Sequence, residues 1–171
     1  NNAVEKEQME ELAALVSDTL QRTRQYAHNS YPVDLETLGF DDSINNLCNS
    51  FEQQSGIKCV YDWQIPEKKE FTKRDKLNIF RIIQEALHNV LKHAKATEVS
   101  VTVNYASKKI IVKICDNGCG FDFSKQKKSG IGMNSMQYRA NQIGAEFIIK
   151  NNTPSGTCVQ VSVNLKDSFS A

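Results

Sequence analysis

Glu85, Asn89 and His93 recur every four residues within Phe80–Ala94, FRIIQEALHNVLKHA, and Lys92 lies beside the last of them. At helical spacing these side chains form one row. A carboxylate, an amide and two basic groups in line are able to hold a metal ion and a polyphosphate. An ordinary solvated helix face carries the same residue types, so the row alone does not separate the two readings. Three further clusters follow. Asp116-Asn117-Gly118-Cys119-Gly120-Phe121 places a carboxylate at the end of an apolar run, where it can accept hydrogen bonds from a ligand. Its two glycines let the backbone approach something flat or anionic; a plain Asp-Asn-Gly turn is the simpler alternative. Gly130-Ile131-Gly132-Met133 opens a helical segment. Bare N–H groups at a helix start bind phosphate, although a flexible loop leading into a helix has the same look. Ser155-Gly156-Thr157 precedes the last apolar run and reads by itself as a hairpin turn.

The elements that must position these clusters show in the periodicity. Phe80, Ile83, Leu87, Val90 and Leu91 recur at spacings of three and four, which predicts a helix from about Arg74 to His93 with Thr72 as its cap. Met9, Leu12, Val16, Thr19, Thr23 and Tyr26 predict an earlier long helix over 5–29, stopped by Pro32. Its narrow stripe suits a bundle or coiled-coil seam, which needs a partner helix and so hints at dimerisation. Ile44, Leu47, Cys48 and Phe51 mark a second helix, capped by Asp41 or Asp42 and ended by Ser55-Gly56. Residues 57–65 alternate as a strand with Ile57, Cys59, Tyr61 and Trp63 on one face. Strands at 98–105 and 109–116 read as a hairpin. A helix over 131–143, with Met133, Met136 and Ile143 on its apolar side, ends at Gly144. A last strand pair spans 145–150 and 157–165. This order predicts an α+β fold in which helices pack on one face of a mixed sheet.

Composition sets the outer limits. The 171 residues are 40% hydrophobic and 24% charged, enough for one good core. A net charge of +1 argues against a general nucleic-acid binder. No apolar run approaches the roughly 18 residues of a membrane span. The polar, acidic start NNAVEKEQMEE is no signal peptide and lacks an initiator Met, so the chain is expected to be a piece of a longer protein. The five cysteines fit no zinc spacing and are expected to be reduced thiols of a cytoplasmic protein; Cys119 falls inside the glycine loop.

Taken together, in this order and at these separations, the four clusters resemble the ATP-binding domain of sensor histidine kinases. That domain is a two-layer α/β sandwich, the Bergerat fold, shared with type II topoisomerases, the heat-shock chaperone ATPase and mismatch-repair ATPases. Glu85-Ala-Leu-His-Asn89 resembles the asparagine box, Asp116-Asn-Gly-Cys-Gly120 the first glycine box and Gly130-Ile-Gly-Met133 the second. Ser155-Gly156-Thr157 resembles the last glycine–threonine motif. The strings Gln84–Ala94 and Gly130–Ala140, with Tyr26–Phe40 before them, are close to the nitrate/nitrite-sensor type.

The resemblance implies specific roles. Asn89 would ligate Mg²⁺ bridging the phosphates of ATP, with Glu85 orienting a water or a group in the metal's outer coordination sphere. Lys92 and His93 would lie near phosphate or ribose. Asp116 would accept from the exocyclic amine of adenine, and Thr157 would support that side through a shared water. Gly118 and Gly120 would make room for the base. Gly130 and Gly132 would line the phosphates, with Met133 among the nucleotide-contacting residues. Residues 122–129 would form a short lid carrying Lys125, Lys127 and Lys128.

It also implies an organisation. Residues 1–31 would be the second helix of a dimerisation hairpin and 32–171 the ATP-binding catalytic domain. The γ-phosphoryl group would pass to a histidine and then to an aspartate of a response regulator, in a homodimeric parent that meets a membrane only through upstream segments. The acceptor is expected before Asn1, because His28 is followed by Asn29 rather than by the acidic residue of that type. Three rivals share the superfamily: a conformational-switch ATPase, an anti-sigma-factor serine kinase and a nucleotide-sensing pseudokinase. A short lid and small domain weigh against the first, the bundle-like helix against the second, and the intact Asn89 and Asp116 against the third.

Overall fold

A computed structural model describes residues 33–66, 71–121 and 131–164. The long helix expected over 5–29, His28, the loop 122–129 and Gly130 lie outside the described residues. The chain divides into two compact units at Thr37/Leu38. Of the first, the short helix α1 (Val33–Thr37) is described.

The second unit holds α2 (Phe40–Ser55), β1 (Lys58–Gln64), α3 (Lys73–Asn89), β2 (Glu98–Ala106), β3 (Lys109–Asp116), α4 (Ile131–Gln142), β4 (Glu146–Asn151) and β5 (Thr157–Asn164). The five strands form one sheet in the order β1-β2-β3-β5-β4. β1 runs parallel to β2 and the remaining neighbours are antiparallel. Alternation along β2 and β3 sends Val99, Val101, Val103, Ile110, Val112 and Ile114 inward. They meet Ile79, Ile82, Ile83 and Leu87 of α3 and Met136 and Ala140 of α4, all buried, in a two-layer core. The α+β architecture read from the sequence is the one observed. Ser107 and Lys108, both at positive φ (52° and 62°), make the two-residue link between β2 and β3. That conformation matches the twist of a tight hairpin.

The ends of α3 decide where its polar face points. Thr72 caps it as expected: its hydroxyl accepts from Asp75 N (3.1 Å), and the Asp75 carboxylate accepts from Thr72 N (3.3 Å), a reciprocal capping box. At the other end the helix does not continue regularly to His93. After Asn89 it widens into a π-helical turn over Val90–Ala94, closed by Lys95 at positive φ.

Two other expectations are corrected. The N-cap of α2 is Gly39 (φ 92°), not Asp41 or Asp42. The aspartates sit in the first turn, where the helix dipole favours them, and the Asp41 carboxylate accepts from Tyr61 Oη at 2.6 Å. Burial and that carboxylate push the Tyr61 hydroxyl pKa up. Tyr61 thereby ties α2 to β1, beside the ring cluster of Phe40, Trp63 and Phe71 with centroids 4.8–6.4 Å apart. The cysteines are not all reduced. Cys115 and Cys158 face each other across β3 and β5, Cα atoms 4.0 Å apart, and are joined as a disulfide; Cys48, Cys59 and Cys119 are free thiols. Sequence spacing carries no trace of this pairing, because it arises from strand register. Among the described residues no helix is long and apolar enough to cross a membrane.

Thr72→Ala removes one half of the capping box and should lower unfolding stability by about 1 kcal/mol, whereas Thr72→Ser should stay close to the parent. Denaturant unfolding of the two variants checks this, and equal stabilities would contradict the cap.

Candidate functional site

Glu85 and Asn89 lie one turn apart on α3 and are both half-buried. The first turn of α4 rests on them. A Cβ added at Gly132 would collide with Glu85 Oε1 and lie 3.6 Å from Asn89 Oδ1. Two oxygen-bearing side chains are thus held under a helix start, whose partial positive charge favours the Glu85 carboxylate. One turn earlier on α3, the buried Arg81 donates to Gln84 Oε1 at 2.7 Å. Burial, reinforced by Arg139 of α4, lowers the Arg81 pKa. Lys92 and His93 are exposed in the π-helical turn. That i→i+5 turn displaces His93 from the row an unbroken α-helix would have made with Glu85 and Asn89.

The turn after β3 is built around Asp116, which is only 4% exposed. Its Oδ1 accepts from Gly118 N at 2.8 Å, while Oδ2 accepts from no group among the described residues. Gly118 packs on the end of the central helix. A Cβ there would collide with Ala94 O and lie 2.8 Å from the Ala94 carbonyl carbon and Cβ. Cys119 N donates to Ala94 O at 2.8 Å, and the Cys119 thiol donates to His93 O at 3.4 Å. Asn117 fastens the same turn to the start of β2. Its Oδ1 accepts from Thr97 N (2.9 Å) and Glu98 N (3.0 Å), and its amide donates to Thr97 Oγ1 (2.9 Å).

The β4–β5 turn closes over Asp116 from the other side. Gly156, at φ 103°, leaves no room for a Cβ, which would sit 2.9 Å from Asp116 Oδ1 and collide with its carbonyl oxygen. Asn152 Nδ2 donates to Asp116 O at 2.9 Å, and Thr157 pairs with Asn151 where the two strands begin to separate.

The predicted residues therefore fall into two linked groups. Gly132 lies against Glu85 and Asn89, with Met133 in the same helical turn. Asp116, Gly118, Gly120 and Gly156 form the second group, with Thr157 next to Gly156. The π-helical turn that bears Lys92 and His93 joins them through Ala94. Sequence reasoning gave no role to Arg81, Asn117, Asn151 or Asn152. Arg81 left one signal, a cation inside the apolar run Ile79–Ile83. The asparagines looked like ordinary turn formers.

Residues 74–167 match the family of histidine kinase-, DNA gyrase B- and HSP90-like ATPases. The chain is 29% identical over 156 residues to the signal transduction histidine-protein kinase/phosphatase DegS of Brevibacillus brevis, covering 91% of this chain and 40% of that protein. It is 34% identical over 132 residues to the sensor histidine kinase LiaS of Bacillus subtilis (strain 168), covering 77% of this chain and 36% of that protein. The chain thus spans well under half of these two relatives. Among solved structures it is similar to the Acinetobacter baumannii histidine kinase AdeS, at 10% identity and a TM-score of 0.65 over 91% of this chain and 84% of that one. The histidine kinase domain of the Erythrobacter litoralis EL346 blue-light activated kinase gives a TM-score of 0.61 at 17% identity, covering 74% and 61%. At those identities the structural likeness speaks for the fold.

Two glycine substitutions should part company. Gly118→Ala meets backbone and should cost about 1–3 kcal/mol as an overpacked site. Gly132→Ala meets only the tip of the Glu85 side chain, which can swing away, and should leave stability within about 1 kcal/mol. Thermal unfolding distinguishes them, and equal losses would contradict the packing described.

Proposed function

This chain belongs to the histidine kinase-, DNA gyrase B- and HSP90-like ATPase family, and on that premise we propose that it is the ATP-binding catalytic part of a two-component sensor histidine kinase. The observation that carries the reading is two chemistries held by elements that share one core. A buried carboxylate with one open oxygen stands at one end, and an amide and a carboxylate under a glycine-bearing helix start stand at the other. The strings Gln84–Ala94 and Gly130–Ala140 favour the nitrate/nitrite-sensor type. Residues 1–31 are assigned to the second dimerisation helix and 32–171 to the catalytic domain.

Asp116 Oδ2 accepts from the exocyclic amine of adenine, which selects against guanine because guanine bears an oxygen there. Gly118 N–H holds Oδ1 and so fixes the carboxylate plane. The expected room for the base at Gly118 and Gly120 is taken by protein: Gly118 lets the turn pack on Ala94, and Gly120 lets it pack on Gly156 and Asn151. Thr157 is assigned to the rim of the base site. At the phosphate end the motif Gly130-Ile131-Gly132-Met133 is assigned to the triphosphate, and Lys92 and His93 to phosphate or ribose. Glu85 and Asn89 offer hard oxygens, which suit Mg²⁺; no group of three or more His, Cys, Asp or Glu side chains able to hold a metal occurs among the described residues, so phosphate oxygens and water would complete its shell. When bound there, Mg²⁺ neutralises charge on the transferring phosphoryl group. The reaction is in-line attack by a neutral histidine imidazole on the γ-phosphorus, with ADP leaving. The phosphoryl group then passes to an aspartate of a response regulator. The acceptor histidine is assigned upstream of this chain, in a homodimeric and cytoplasmic kinase core.

Calorimetric titration with ATP and Mg²⁺, followed by phosphate release in the same sample, tests this. Binding with negligible turnover is expected. Steady hydrolysis would overturn the kinase reading in favour of a conformational-switch ATPase, and absence of binding would overturn the site itself. Asn89→Ala should remove the Mg²⁺-dependent part of ATP affinity without unfolding the protein. Asp116→Asn should weaken ATP binding about tenfold to a hundredfold, the range for one hydrogen bond to a charged group. Unchanged affinity in either variant would contradict the role given to that residue.

A further inference from the structure

The turn that carries Asp116 is held from two sides, by the end of the central helix and by the β4–β5 hairpin. Toward the helix, Ala94 takes the Cys119 N–H and packs on Gly118. Toward the last hairpin, the holding groups are side chains of the β4–β5 turn. Asn152 Nδ2 donates to Asp116 O at 2.9 Å. Asn151 Oδ1 accepts from Phe121 N at 2.9 Å. Ser155 Oγ donates to Asn117 O at 3.2 Å, and Asn152 N donates to Gly156 O at 2.8 Å, which shapes the hairpin turn itself. Gly120 lies in the crook: a Cβ there would stand 3.3 Å from Gly156 O and 3.5 Å from Asn151 Oδ1.

We propose that Asn151 and Asn152 are positioning residues of the nucleotide site, clamping the first and last residues of the Asp116–Phe121 turn so that Asp116 aims its open oxygen at the purine amine. The inference rests on the ATP-binding reading and deepens it. A turn with glycines at 118 and 120 has many accessible conformations. Two hydrogen bonds at its ends, one to the Asp116 carbonyl and one to the Phe121 N–H, remove that freedom before a ligand arrives. Preorganisation of this kind raises affinity by lowering the ordering cost of binding. The clamp touches no part of the ligand and acts through Asp116 and Phe121.

The two asparagines use opposite ends of the same amide group, which gives a test that turn propensity alone cannot mimic. Asn151 serves as an acceptor, so Asn151→Asp keeps its bond. Asn152 serves as a donor, so Asn152→Asp loses its bond and sets a second carboxylate beside Asp116. Asn and Asp are both good turn formers, so a merely structural role would treat the two changes alike.

The experiment is calorimetric affinity for Mg-ATP and for Mg-GTP, with unfolding temperature, on the parent chain and on Asn151→Asp, Asn151→Ala, Asn152→Asp and Asn152→Ala. Asn151→Asp is expected to bind ATP within about threefold of the parent. The other three are expected to lose about fivefold to tenfold, the scale of one hydrogen bond, and part of the preference for ATP over GTP. Unfolding temperatures should stay close to the parent value. Equal ATP affinity and equal ATP preference for Asn151→Asp and Asn152→Asp would overturn the clamp. Failure of the parent chain itself to bind ATP would instead overturn the underlying reading, and the inference with it.

Discussion

The carbonyls at the end of a helix have no partner within it, and in this protein the last carbonyl of the central helix is satisfied by the very turn that carries the candidate adenine carboxylate. Ala94 O takes the N–H of Cys119, and Gly118 lies so close above it that no other residue fits. That backbone hydrogen bond ties the turn after Asp116, at the end of the sheet's central strand, to the end of the helix that carries Asn89. The π-helical turn of Val90–Ala94 delivers Ala94 to its place, and the asparagines of Thr97–Asn117 contact and the last hairpin steady the turn from behind.

The division of labour between layers follows from burial. The sheet offers rigid strand ends, and Asp116 is the last residue of a central strand flanked on both sides by neighbours. Helix α3 is anchored by Ile79, Ile82, Ile83 and Leu87, all buried, and presents Glu85 and Asn89, both half-buried, on the flank of that face. Helix α4 is fixed by Met136 and Ala140 and turns its small residue, Gly132, toward them. In the proposed reading, a nucleotide would meet a base-reading group and a phosphate-reading group held by separate elements. Those elements share one core.

Much of this was legible from residue types alone. The period of Phe80–Val90 places a buried helix, although Leu91, expected on the same face, is exposed in the π-helical turn. The alternation in 98–105 and 109–116 gives a hairpin, because burial on one face imposes those periods. Glycines at 118 and 120 were legible as close approaches in kind but not in partner, and the packing of Gly132 on Glu85 was not legible. Three further features were not legible. The widening after Asn89 leaves the apolar spacing of Val90 and Leu91 intact, so a regular helix fits the string equally well. The Cys115–Cys158 pairing depends on the register of two strands 43 residues apart. The bonds made by Asn151 and Asn152 are tertiary, whereas their sequence signal is the local preference of asparagine for turns.

The most direct measurement is a crystal structure of this chain with Mg²⁺ and a non-hydrolysable ATP analogue. Adenine N6 within hydrogen-bond distance of Asp116 Oδ2, and the metal on Asn89 Oδ1 with the phosphates against the start of α4, is the expected result. A nucleotide bound with its base away from Asp116, or a metal held without Asn89, would contradict the assignment of this end of the molecule as the ATP site.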